Sequence, residues 1–148
     1  MHGNSVPPAS SNYGEAVDGP WVFGMVEQRD DGLNDFRCFQ VARRDRATLR
    51  PIIEANIAEG TTIMSDEWRA YRGLEGWGMG YTHLTVNHSE NFVDPDTRAD
   101  TQRVERCWFT LKLKVLKLRH GYRSVRELEG LLAECWWRGL HPRAFAFQ

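Results

Sequence analysis

The stretch WVFGMVEQRDDGLNDFRCFQVA constrains this chain most, because it writes two strands and the turn between them into 22 consecutive residues. WVFGMVEQ is a strand candidate, and Asp31 with Gly32 supplies the turn chemistry of a hairpin. FRCFQVA returns with Phe36, Cys38 (or Phe39) and Val41 alternating. Trp21 to Val26 should therefore pair antiparallel with Phe36 to Val41. Residues 1 to 18, MHGNSVPPASSNYGEAVD, are rich in Ser, Pro, Gly and Asn and read as a loose or disordered arm, so the folded domain is expected over 19–148.

Downstream, Leu49, Ile52, Ile53 and Ile57 have helical spacing and the pattern closes on Gly60. Pro51 suits the first turn of a helix capped by Thr48. Thr61 to Met64 then reads as a strand, parallel to one of the earlier two if the helix is a crossover. A short helix and a Gly-rich turn follow in EWRAYRGLEGWGMG, and YTHLTVNH is a further strand alternating through Tyr81, His83, Thr85 and Asn87. SENFVDPDTRAD is a loop. Val104, Trp108, Leu111, Val115 and Leu118 mark a long helix capped by Asp100 or Thr101. A last helix begins with Ser124 and Glu127 as a capping box and presents Val125, Leu128, Leu131, Leu132, Cys135 and Trp136 to the core.

With 148 residues and 41% hydrophobic content, one α/β domain with a real core is expected. Cys38, Cys107 and Cys135 include no CxxC pair, which indicates neither a zinc site nor a disulfide framework. No long apolar run and no charged-then-apolar leader is present, so the expectation is a soluble intracellular protein without membrane association. The net charge of −1 hides a segregation: from Arg103 to Arg126, eight lysines and arginines face the single acid Glu105. Lys114, Lys117, Arg119 and Arg123 are the preferred phosphate contacts on that basic face.

Two carboxylates stand out. Asp66 ends a β-branched run directly before Trp68 and Tyr71, where the ordinary reading is a helix N-cap and the functional one a metal ligand at the mouth of a sheet. Glu105 lies near the start of the long helix. Oxygen ligands from separate elements suit Mg²⁺ or Mn²⁺ acting on a phosphodiester. Trp68, Tyr71 and Trp108 read as core and site-wall residues, with base stacking by Trp68 or Tyr71 as an alternative. His83 and His88 read as structural or DNA-proximal.

The stretches GPWVFGMVE, DRATLRPII, GTTIMSDEWRAYRGL, GYTHLTVNHSENFVDPDTRADTQRVERCWFTLK and LAECWWR give the chain a resemblance to the DDE transposases of Merlin elements and their bacterial insertion-sequence relatives. The resemblance implies an RNase H-like (DDE transposase/integrase) core with a mixed sheet flanked by helices. It also implies Mg²⁺- or Mn²⁺-dependent DNA strand cleavage and transfer, DNA as partner and self-association as a further expectation. Nuclear localisation follows if the source is eukaryotic. Asp66 would be the second catalytic acid and Glu105 the third, with Gln102 and Lys112 as secondary candidates, because some bacterial relatives place an Asn and a Lys there. The first acid lies on an opening strand for which these residues offer no counterpart, since Glu15 and Asp18 fall in a turn before WVFG. The expected chain is thus an N-terminally truncated core, incomplete as a catalyst by itself, and the alternative is a non-catalytic DNA- or protein-binding remnant.

Overall fold

A computed structural model describes residues 20–87, 93, 100–117 and 125–142. Strands β1 (Trp21–Gln28) and β2 (Asn34–Val41) form the expected hairpin, with Trp21 opposite Val41, Phe23 opposite Phe39 and Gly24 opposite Cys38. The turn is fixed by its own side chains: Asp31 Oδ1 accepts the Leu33 N–H at 3.0 Å, and Gly32 takes the left-handed conformation at φ 81°.

Because side chains alternate across a strand, this hairpin serves two cores. Trp21, Phe23, Phe39 and Val41 pack with Leu49, Ile53, Ala70, Leu74, Trp77 and Tyr81 on one face. Val22, Phe36 and Cys38 pack with Trp108, Leu111, Leu128, Leu132 and Cys135 on the other. Gly24 belongs to the second face, and a Cβ there would lie 2.5 Å from Trp108 Cζ2, so only glycine lets that indole seat against the strand. Phe36 meets the same indole edge to face, with ring centroids 5.4 Å apart.

Helix α1 (Arg46–Asn56) starts earlier than Thr48 and Pro51 suggest. Its cap is Asp45, whose Oδ1 accepts the Thr48 N–H at 2.9 Å, and that backbone bond holds the Asp45 carboxyl below its ordinary range. Pro51 sits inside the helix at an exposed position, where water can satisfy the carbonyl left without a donor because proline has no N–H.

Strand β3 (Thr62–Asp66) corrects the expected pairing. Its partner is not the hairpin but β4 (Thr82–Val86), in parallel register from Thr62 beside Thr82 to Asp66 beside Val86. Among the described residues the strands therefore form two separate two-stranded sheets rather than one mixed sheet. Alternation of apolar residues identifies a strand and its faces but carries no label for its neighbour. The crossover from β3 to β4 holds two 3₁₀ turns, Arg69–Tyr71 and Leu74–Trp77, in place of the short helix expected there, with glycines at 73, 76 and 78 breaking it up. Leu74, 1% exposed, anchors this crossover in the first core, a burial worth about 2 kcal/mol.

Val93 and Asp100 form an isolated antiparallel bridge before α2 (Gln102–Lys117), which packs on β1, and α3 (Val125–Leu140), which packs on β2. Ser124, half of the expected capping box, lies outside the described residues, as does Leu118. Trp136 is a rim residue rather than a core one, 39% exposed. Its indole N–H donates to Asp35 Oδ1 at 2.7 Å and its ring lies under the Arg37 guanidinium. Arg37 also binds Asp35 with both Nε and a terminal nitrogen, so this polar cluster ties α3 to the hairpin. No helix among the described residues is long and apolar enough to cross a membrane.

Candidate functional site

Asp66 closes β3 at the carboxyl end of the parallel pair, the end outside which α/β sheets build their ligand crevices. The side chain is exposed, and Oδ1 accepts the Trp68 N–H at 3.2 Å. The cap-like reading of this residue is thus realised by one oxygen, with no hydrogen bond on the other among the described residues. Beside it, Ser65 Oγ lies 2.8 Å from His83 Nε2 on β4. Burial lowers the His83 pKa, with the Glu75 charge opposing in part, so the ring is held toward its neutral form. His88 lies outside the described residues.

Glu105 stands in the first turn of α2, also exposed. Thr101, itself only 6% exposed, donates its hydroxyl to Glu105 Oε1 at 2.8 Å, while Asp100 Oδ1 accepts the Gln102 N–H at 3.2 Å. Of the two residues suggested as caps, Asp100 accepts a first-turn N–H, whereas the Thr101 hydroxyl serves a side chain. Gln102, Glu105 and Lys112 step by three and seven residues and so share one stripe of the helix, which also carries Phe109, 65% exposed. Asp66 and Glu105 are carried by elements with different packing partners, β3 on β4 and α2 on β1. Among the described residues no three His, Cys, Asp or Glu side chains form a group that could hold a metal ion. Two exposed carboxylates would supply part of the oxygen set a divalent cation takes.

The basic face is described only in part. Lys112 and Lys114 are exposed on α2, whereas Arg103 donates to Asn34 Oδ1 at 3.1 Å and is committed to the hairpin. The side chain of Lys117, and Arg119 and Arg123 altogether, lie outside the described residues. Cys38, Cys107 and Cys135 are free, and burial pushes the Cys38 thiol up to about 12.

The three aromatic residues singled out in the sequence part company. Trp108 is a core residue against Gly24 and Phe36. Tyr71 is half-buried against the first core, and burial, then the nearby Asp66 charge, pushes its phenol up to about 12. Trp68 is not core: it is 42% exposed and lies 4.8 Å from the Arg44 guanidinium, whose other neighbour is the Trp21 ring at 3.6 Å. Arg43 and Arg46 flank Arg44 in sequence, Arg69 and Arg72 follow Trp68, and all four are exposed. Sequence reasoning missed this group because its arginines come from two segments, 43–46 and 69–72, brought together by the start of α1 and the first 3₁₀ turn. One bond shows the junction, as Arg46 donates to the Arg72 carbonyl.

Residues 10–139 match the ISXO2-like transposase domain, and the chain belongs to that family of insertion-sequence transposases. Neither the curated proteins nor the solved structures return a match.

Proposed function

We propose that this domain is the DNA-handling core of a Merlin-related transposase, in which Asp66 and Glu105 are two members of a larger acidic ligand set and the 148-residue chain binds DNA without cutting it. Family membership over residues 10–139 carries the DNA transposition part of this reading. The finer part is supported by the position of Asp66, exposed at the carboxyl end of a parallel strand pair.

An RNase H-like arrangement is supported by the order β1, β2, α1, β3, β4 followed by helices, with one antiparallel and one parallel pair. Each of β1 and β3 has one hydrogen-bonded strand neighbour among the described residues. A further strand between them would join the pairs into one mixed sheet, and it is on such an opening strand that the resemblance puts the first catalytic acid. Mg²⁺ or Mn²⁺, when held by the full set, would supply activation of the attacking oxygen and stabilisation of the leaving one. Asp66 and Glu105 would contribute negative oxygen ligands from opposite elements. The exposed Lys112 and Lys114 would add phosphate attraction along α2.

The test is supercoiled plasmid incubated with the purified chain and Mg²⁺ or Mn²⁺. Retardation without nicked circles is expected, for the wild type and for Asp66→Asn alike. Robust nicking by the wild type that disappears in Asp66→Asn would overturn the incomplete-set reading and show that another acid of this chain completes the site.

A further inference from the structure

The arginine group around Trp68 lies beside Asp66 and is used by nothing described so far. Five exposed arginines, Arg43, Arg44, Arg46, Arg69 and Arg72, are interleaved with three acids, Asp45, Asp66 and Glu67. None of the five is in an ion pair among the described residues. Asp45 is already occupied as the cap of α1. Arg44 is held between the two indoles, and the Trp68 indole N–H donates to the Arg44 carbonyl at 3.4 Å, so the exposed ring is fixed in place before any ligand arrives. Tyr71 senses the charges of both Asp66 and Arg44, which places the group and the carboxylate within electrostatic reach of one residue.

A fixed, partly exposed indole beside guanidinium groups that have no carboxylate partner among the described residues suits a ligand with both a flat apolar face and regularly spaced anions. Paired bases in a duplex keep their faces stacked and cannot offer one to Trp68, whereas a single strand offers both features together. We propose that this surface binds single-stranded DNA, with the arginines on phosphates and the Trp68 indole stacked on an unpaired base next to Asp66. The choice of DNA rests on the function proposed above; the preference for a single strand does not.

Anisotropy of a fluorescein-labelled oligothymidylate, measured on the full chain without divalent metal, tests it against a duplex dumbbell closed by base-free glycol linkers and against polyglutamate. The single strand should bind tighter than either competitor. Trp68→Ala should weaken single-strand binding about tenfold, leaving dumbbell binding unchanged, since a base–aromatic stack is worth roughly that factor. Trp68→Phe should keep most of the affinity yet abolish most of the oligonucleotide-induced quenching of tryptophan emission. Arg43→Gln and Arg69→Gln should each lower the slope of log affinity against log salt by about 0.7. This metal-free assay and the plasmid test with metal have separate readouts, so the strand preference and the function proposed above fail independently. Wild-type affinity in a folded Trp68→Ala protein, or equal binding of dumbbell or polyglutamate, would overturn the proposal. Should Trp68→Ala not fold, unchanged salt slopes in both arginine variants would do so.

Discussion

The β1–β2 hairpin and the β3–β4 pair use the same number of strands for opposite purposes. In the hairpin both faces are claimed, one by the core around Leu49, Ile53 and Leu74 and the other by the core of α2 and α3. In the parallel pair Ile63 packs on the first core, but Thr62, Met64 and Asp66 alternate with it and stay exposed. Packing on both faces makes a strand intolerant of change and leaves it little surface for a ligand. An open strand end is the cheaper place to keep a carboxylate, because no tightly packed neighbour depends on it.

The largest effect that separates the two pairs should come from added or removed volume. Gly24→Ala sets a methyl 2.5 Å from the Trp108 indole and is expected to cost about 1–3 kcal/mol in urea unfolding. Met64→Ala, at a position 47% exposed in the middle of β3, should stay within about 0.5 kcal/mol. The reverse order would break the comparison, since it would make the parallel pair the packed element.

A smaller effect should separate them by pH. In the hairpin, the hydrogen bond from Arg37 is the main cause that lowers Asp35 below its ordinary 3.8, with burial opposing and Trp136 adding to the lowering. Its stabilisation is complete above that value and is lost as the pH falls through the folded pKa. In the parallel pair, burial lowers His83 below 6.5, so its neutral ring contributes fully above 6.5 and that contribution fades as the pH falls through the folded value. Amide protection in β4, corrected for the intrinsic exchange rate at each pH, should therefore fall on mild acidification while β2 stays protected until the carboxyl range. His83→Gln should remove the first change and leave the second. Simultaneous loss in both strands would mean that the two pairs open as one unit.

Local chemistry made the hairpin legible: Asp31 and Gly32 mark the turn, and alternation sets the faces. The long helix was equally readable, because Trp108, Leu111 and Val115 do turn inward. The cap of α1 was misread, since Thr48 and Asp45 are both good caps and only the backbone decides which carboxyl or hydroxyl meets which N–H. The pairing of β3 with β4 and the arginine group around Trp68 were illegible for a shared reason. Both join segments far apart in sequence, and neither leaves a periodic trace in either segment alone.

In the function proposed above, Asp66, on the open strand pair, and Glu105, on the helix that backs the hairpin, serve one cation. Paramagnetic broadening of backbone amide signals during titration with Mn²⁺ reads it directly. Signals around Asp66 and Glu105 should broaden together over one concentration range, and Asp66→Asn should suppress broadening at both. Broadening at Glu105 that persists unchanged in Asp66→Asn, or confined to one of the two, would contradict it.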